Sequence, residues 1–121
     1  MPQATALIGN VIYCDNQACV VKYASISAAS SGSNTILAAV TAKKIRVLSY
    51  VLVGAGAVTA QFKTAAGGAA LSGAMSLITG TPLVGPFNPT GHFETVAADL
   101  LNLVLGGAVQ VSGHFSYIEV A

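Results

Sequence analysis

The stretch KKIRVLSYVLVGAGAVTAQFK, residues 43–63, decides the fold class of this chain. Two sets of side chains alternate along residues 44–53, and apolar residues alternate strictly with polar ones along residues 58–63. A period of two is typical of β-strands, whose successive side chains point to opposite faces. The small residues 54–57, Gly-Ala-Gly-Ala, can adopt the backbone angles that reverse a chain. The stretch therefore predicts two antiparallel strands joined as a β-hairpin.

The remainder of the sequence extends this pattern. Short alternating segments recur, separated by turns rich in Gly, Pro, Ser and Asn, and no segment has a strong helical period. About eight such strands imply an all-β, single-domain β-sandwich or jelly roll, which we assign to residues 25–121. Residues 1–24 are less regular and predict an N-terminal arm that could wrap a neighbouring chain. The alternative is a first edge strand of the same domain.

Two local features refine this prediction. Three prolines spread through the segment that begins at Pro82, and proline donates no ladder hydrogen bond, so this segment is a loop or an edge strand. Gly106-Gly107 reverses the chain into a final strand over residues 109–120. The apolar side chains of that strand change face partway along it. A bulge near Gly113 or burial on both faces would explain the change.

The composition indicates that the chain has too few charged residues to cover its own surface. Only 7% of its 121 residues are charged, and its mean hydropathy is +0.72. Soluble domains usually have about 25% charged residues. Polar residues and helix breakers interrupt both long uncharged stretches, residues 64–93 and 100–118, so we predict no transmembrane helix. The N-terminus lacks a basic segment followed by an apolar core, so we predict no secretory signal. We expect other protein chains to cover the excess apolar surface, which makes the protein an oligomer or a docked subunit.

The two cysteines, Cys14 and Cys19, flank a turn-like segment. They could form a disulfide across that turn, provide half of a metal site completed by His92 and His114, or remain free. We favour free thiols and expect no bound metal. Structural zinc sites usually offer two closely spaced ligand pairs, and these histidines are far apart in the sequence.

No motif indicates catalysis or a cofactor. Gly54-Ala-Gly56 follows a strand, but the third glycine of a dinucleotide fingerprint is absent and the next segment alternates like a strand. His92 lies near Glu94, and His114 lies near two serines, without a recognisable nucleophile, base and orienting acid. Five basic residues oppose four acidic ones, with no basic stripe that would bind nucleic acid. We therefore expect a protein that is not an enzyme and binds no cofactor or nucleic acid.

Several segments resemble small structural proteins of tailed bacteriophages. They are Ser25-Ile-Ser-Ala-Ala, Lys43-Lys-Ile-Arg-Val-Leu-Ser-Tyr, Leu71-Ser-Gly-Ala-Met, Gly91-His-Phe-Glu-Thr, Leu101-Asn-Leu, Val109-Gln-Val-Ser-Gly-His and Tyr117-Ile-Glu-Val. The chain looks most like a head decoration, or cement, protein, and the resemblance covers about residues 25–120. It implies a β-rich subunit, often trimeric, that sits on the capsid exterior and clamps neighbouring subunits of the major capsid protein. Residues 1–24, with both cysteines, fall outside the resemblance.

Two groups of residues are candidate shell contacts. The first is the set of large side chains in the arm, Leu7, Ile8, Val11, Ile12 and Tyr13. The second is the basic cluster Lys43, Lys44 and Arg46, in which Lys44 and Arg46 project from one strand face toward acidic groups of a shell. A solvated strand edge is the alternative for this cluster. The competing function is a tail or fibre-tip module that binds a host glycan or protein. An aromatic-rich loop surface would indicate this function, and only Phe87, His92 and Phe93 lie near the proline-rich loop.

Overall fold

The computed structural model describes residues 11–14 and 17–121, with side chains from Cys19 onward. These ranges contain eleven strands and no helix. The strands are β1 (Val11–Cys14), β2 (Gln17–Val20), β3 (Lys22–Ala28), β4 (Gly32–Leu37), β5 (Lys44–Gly54), β6 (Val58–Thr64), β7 (Met75–Leu77), β8 (Leu83–Gly85), β9 (Phe93–Glu94), β10 (Leu101–Leu105) and β11 (Val111–Val120).

Two antiparallel sheets pack face to face, which confirms the all-β sandwich. One sheet has the strand order β3-β11-β5-β8, with β9 also paired to β5, and the other has the order β4-β10-β6-β7. Strands β1 and β2 form a separate two-stranded sheet. Strand β8, which Pro82 and Pro86 flank, lies at an edge of the larger sheet, as the sequence predicts.

The predicted hairpin of β5 and β6 is wrong, because these two strands belong to different sheets. β5 pairs with β11, β8 and β9, whereas β6 pairs with β10 and β7. The intervening residues 55–57 carry the chain across the sandwich, so the apolar faces of β5 and β6 meet instead of lying side by side. Gly54 suits this crossing, because a Cβ there would lie 2.8 Å from the Gly56 carbonyl oxygen.

The chain also crosses between the two sheets at other connections along its length. β3 is followed by β4 in the other sheet, and the reversal at Gly106-Gly107 joins β10 in the smaller sheet to β11 in the larger one. Consecutive strands therefore tend to face each other across the core. Their hydrogen-bonded neighbours come from distant parts of the sequence.

The main core lies between the sheets and contains side chains from both. Phe62 and Phe115 are fully buried, and an aromatic group joins Phe62 to Phe93 and Tyr50, with ring centroids 4.8 Å and 5.2 Å from that of Phe62. The other buried members are Ile26, Ala28, Ile45, Val47, Leu52, Val58, Ala60, Leu77, Leu101, Leu103, Leu105, Val111 and Tyr117.

A second, smaller apolar cluster lies on the other side of the larger sheet. The pairing of β11 with β5 shifts register between Ser116 and Tyr117, which leaves Leu48 as the extra residue on β5. Leu48 consequently packs outside the main core with Val21, Ile118 and Val120. The apolar side chains of β11 thus change face because both faces of its last residues are buried, the second of the two explanations expected from the sequence. The register shift places its extra residue on β5, and β11 pairs without a shift at Gly113.

The N-terminal hairpin reaches this outer cluster. Cys19 of β2 packs against it and is disulfide-bonded, and no free cysteine occurs in the described chain. The prediction of free thiols was therefore wrong. Spacing could not have decided this, because a turn of this length suits either state. β3 begins at Lys22, so this strand runs through the boundary predicted between residues 24 and 25.

A candidate binding surface on the larger sheet

The outer face of the larger sheet exposes a row of uncharged side chains. Register places Val84, Val51, His114 and Ser25 side by side across four strands, and the adjacent row contains Ser49, Ser116 and Tyr23. Side chains opposite one another in paired strands point to the same face. We call this surface, with Phe87 at its rim, the groove face. None of these positions holds Lys, Arg, Asp or Glu.

A shallow groove of about 300 Å³ lies in this face. Its floor includes the serine pair Ser49 and Ser116, whose hydroxyl oxygens are 2.5 Å apart and share a hydrogen bond. Because the two serines satisfy each other, the floor is less polar than its composition implies. The groove is lined by Val21, Tyr23, Ser49, Phe87, His114 and Ser116.

Two aromatic side chains at the groove are unusually exposed. Tyr23 is 72% exposed and Phe87 is 47% exposed, and Val84 nearby is 56% exposed. Isolated apolar residues at a surface are common, whereas a group around a groove is typical of an interaction site. This group is the strongest feature of the surface among the described residues.

The loop that carries Phe87 is held in place by hydrogen bonds. The amide of Asn88 donates to the Leu48 carbonyl at 2.9 Å, and the amide of His92 donates to the Val47 carbonyl at 2.8 Å. The His92 ring nitrogen Nε2 lies 2.6 Å from the Pro86 carbonyl oxygen. Because the loop is fixed from both ends, a partner would not have to order it, which lowers the entropic cost of binding.

The outer face of the smaller sheet has a different character, and we call it the polar face. Its outward positions on β6 are Thr59, Gln61 and Lys63, and Gln61 Nε2 donates to the Ser72 carbonyl at 2.9 Å. The remaining outward polar positions on this sheet include Ser33, Thr35 and Ser76. Such side chains hydrogen-bond well with water and do not require a partner.

The residues of the predicted basic cluster lie close together, but the acidic residue Glu94 lies among them. Glu94 of β9 lies opposite Arg46 in the sheet, and its carboxylate accepts a hydrogen bond from Arg46 Nε at 2.9 Å. Lys44 Nζ lies 3.5 Å from the same carboxylate. Lys43 immediately precedes β5. An acidic partner would therefore have to compete with Glu94 for two of these three cations.

The other candidate residues are dispersed. His92 contacts the proline loop and Tyr50, Phe93 is partly buried at the core, and His114 lines the groove. No three His, Cys, Asp or Glu side chains within the described ranges are arranged to hold a metal ion. Of the arm residues, Val11, Ile12 and Tyr13 belong to β1, while Leu7 and Ile8 lie outside the described residues.

Sequence reasoning overlooked Tyr23 as a surface residue because it was placed in the arm. The signal was available: Tyr23, Ser25 and Ser27 alternate with Ala24, Ile26 and Ala28, and all six belong to β3. Such alternation indicates a strand with one face toward the core.

Comparisons with known proteins identify no relative. No family model, no curated protein and no solved structure matches the chain. Within the part of the chain that the structure describes, no helix is long and apolar enough to cross a membrane.

Proposed function

We propose that this protein is a structural component of a tailed-phage virion, decorating and stabilising the capsid exterior as a homotrimer that bridges subunits of the major capsid protein. The observation that carries the proposal is the groove face. It is an uncharged surface with exposed Tyr23, Val84 and Phe87 in a chain with only 7% charged residues. A second copy of this chain is its proposed occupant, because such a contact buries no charge.

The energetics suit a lattice protein. Full burial of a large apolar side chain is worth about 1.5 to 3 kcal/mol relative to exposure. Tyr23, Val84 and Phe87 already lie in one surface, and the Phe87 loop is preordered. A few such contacts in each copy stabilise an assembly that repeats them over a whole shell.

The strand order supports a jelly-roll interpretation of the sandwich. Eight strands, β3 to β8 with β10 and β11, form two four-stranded layers, and consecutive strands cross between the layers at several turns. Jelly rolls occur in viral capsid proteins and in lectins. This is an analogy at the level of the fold, since a fold alone does not determine function.

The basic cluster is the proposed contact with the capsid shell. Lys43, Lys44 and Arg46 lie at one end of β5, beyond the groove, and they outnumber the single acid Glu94 among them. Acidic groups of a shell would compete with Glu94 for these cations. Contacts of this kind weaken as salt screens them.

The deciding experiment measures the copy number of this chain in purified virus particles, relative to the major capsid protein, by quantitative mass spectrometry. The decoration function predicts a ratio near one or a simple fraction of it. A handful of copies per particle would contradict decoration and favour a vertex or tail, and absence would reject a virion role.

One observation favours the second candidate, a tail or fibre-tip module that recognises a host glycan or protein. The groove combines exposed Tyr23 and Phe87 rings with a histidine, and jelly rolls also serve as lectins. A glycan array probed with the purified protein tests this function. Saturable binding that Phe87→Ala abolishes, together with a low copy number, would establish recognition in place of decoration.

A further inference from the structure

The charged residues of the larger sheet lie at one of its two ends. Glu94 of β9 pairs with Arg46 near the start of β5. Lys22 begins β3, and its Nζ lies 3.1 Å from the carboxylate of Glu119 near the end of β11. The antiparallel register aligns these strand ends beside one another. At the opposite end of the sheet the register aligns three uncharged residues, Ala28, Val111 and Gly54.

The smaller sheet has the same asymmetry. Lys63 lies near the end of β6, and Thr64 after it donates a hydrogen bond to Asp99 at 2.8 Å. The amide of Ala98 donates to the Lys43 carbonyl at 2.8 Å, which joins this end of the smaller sheet to the start of β5. The charged residues in the described part of the chain therefore share one end of the sandwich, the charged end. At the other end, the uncharged end, the turns of residues 29–31, 55–57, 78–82 and 106–110 contain no Lys, Arg, Asp or Glu.

The uncharged end exposes a large apolar side chain, Ile78, which is 67% exposed. The other exposed large apolar side chains in the described chain belong to the groove face or to the charged end. They are Tyr23, Val84 and Phe87 in the groove face, with Val20 and Val96 at the charged end, each two residues from a charged residue. Ile78 is thus an apolar contact point that lies apart from both the groove face and the charges.

Ile78 begins a turn that is held in shape. The Thr81 amide donates to the Ile78 carbonyl at 3.1 Å, and Gly80 has a φ of 70°, the left-handed conformation that a type II turn requires at this position. The Gly80 amide also donates to the Gly54 carbonyl at 2.9 Å, which ties the turn to the end of β5. Because the turn is already ordered, little conformational entropy would be lost when it meets a partner.

The symmetry of a trimer requires two different patches that fit each other. In a closed ring of three identical chains, a patch on one copy contacts a different patch on the next, whereas a face that contacts its own equivalent closes a dimer. The proposed homotrimer therefore needs, besides the groove face, a second uncharged apolar patch on the same chain. The turn at Ile78 has this character, and it lies in the connection between β7 and β8, apart from the groove floor.

We propose that the Ile78 turn of one copy docks into the groove of the next copy, where Ile78 packs between the Tyr23 and Phe87 rings above the serine pair. This contact rests on the proposed homotrimer and specifies which part of the second copy occupies the groove. A groove of about 300 Å³ is large enough for one isoleucine side chain. Neither patch holds a charge, so docking desolvates none. The charged end of each copy stays outside the contact and remains available to the capsid shell.

A charge placed on the turn tests this contact. Ile78→Lys should weaken self-association at least about a hundredfold, because docking would bury an unpaired ammonium group. Val96→Lys is the matched control and should associate like the wild-type chain, since Val96 is 59% exposed at the charged end. Sedimentation over a range of concentrations measures both variants. Self-association of Ile78→Lys at wild-type strength would overturn the proposal and indicate that two grooves face each other.

A mixture of two variants tests whether the turn and the groove meet. The Ile78→Lys chain keeps an intact groove, and a chain with Tyr23→Ser and Phe87→Ser keeps an intact turn. Each alone should fail to form the trimer, but together they retain one complete contact. NMR spectra of isotope-labelled Ile78→Lys should show shifts of the Tyr23 and Phe87 ring signals as the unlabelled groove variant is added. Ring signals that do not shift would overturn the proposal.

Failure of this contact and failure of the decoration function can be told apart. The copy number in virus particles tests decoration without involving the turn. A copy number that rejects decoration, together with loss of the oligomer in Ile78→Lys, would retain the contact and reject the function. Normal association of Ile78→Lys, together with a copy number near that of the major capsid protein, would reject the contact and retain the function.

Discussion

The two outer faces of the sandwich are both formed by alternate side chains of their strands, but they differ in polarity. On β6 the outward residues are Thr59, Gln61 and Lys63, whereas on β5 the outward residues past the bulge are Ser49, Val51 and Val53. The polar face can remain in water, and the groove face is apolar enough to gain from being covered. A strand such as β5, which has apolar side chains on both of its faces, therefore indicates a sheet that is covered on both sides.

The sharpest test of this contrast is at the covered end of the larger sheet. Leu48 is fully buried outside the main core, so Leu48→Ala should lower the free energy of unfolding by about 2 to 5 kcal/mol. The matched variant on the polar face, Thr35→Ala, should change it by no more than about 0.5 kcal/mol. Urea denaturation measures both. A small loss for Leu48→Ala would mean that the outer cluster does not act as a core.

The exposed end of the groove face should matter for association. Phe87→Ser combined with Val84→Ser should weaken self-association by about 2 kcal/mol, or some thirtyfold in the dissociation constant, if the aromatic residue is a hot spot. The paired control is Thr35→Ser with Thr59→Ser on the polar face. Sedimentation over a range of concentrations gives the dissociation constants, and a purely monomeric wild-type chain would show that the groove face does not drive self-association.

Gly85 connects the main core to the groove face. A Cβ at this position would overlap the Tyr50 ring, which Phe62, His92 and Phe93 surround. Gly85→Ala should therefore cost about 1 to 3 kcal/mol through overpacking. Gly73→Ala is the control, because a Cβ there meets no atom within 4 Å. Thermal unfolding compares the two, and equal midpoints would show that the Tyr50 ring moves aside freely.

The smallest effect concerns the basic cluster. A double-mutant cycle of Arg46→Gln and Glu94→Gln should give a coupling of about 0.2 to 1 kcal/mol, since both side chains are partly exposed. The control cycle uses Lys22 and Glu119, which are 3.1 Å apart. Capsid binding should become tighter in Glu94→Gln, because the loss of this carboxylate releases Lys44 and Arg46 for an acidic shell. If the Glu94→Gln chain binds capsids more weakly than the wild-type chain at low salt, the basic cluster is not a shell contact.

The strands themselves were predictable from the sequence, but their partners were not. Alternation over residues 44–53 and 58–63 located β5 and β6 well, because it depends only on which side of a strand is buried. It does not reveal whether the next strand pairs at the edge or faces the first across the core. The small residues 54–57 permit either connection, so the hairpin prediction failed although both strands were correct.

The surface was harder to predict for a related reason. Leu48 and Tyr50 have the same parity in the sequence, but the bulge sends Leu48 to the outer cluster and Tyr50 to the main core. A register shift depends on the partner strand, β11, and leaves no local signal. Tyr23 and Phe87 meet at one groove only because distant strands bring them together, so their shared role was invisible before the fold was known.

The two last strands of the sequence occupy central places in their sheets, β10 between β4 and β6 and β11 between β3 and β5. During synthesis, β4 and β6 must therefore wait for their shared partner until β10 has been made, and β3 and β5 must wait until β11 has been made. Both sheets close late and almost together, through contacts distant in sequence, which is the topology of slow folding. Until β10 and β11 have formed, the apolar edges of their partner strands are open to other nascent chains, which creates a hazard of premature association.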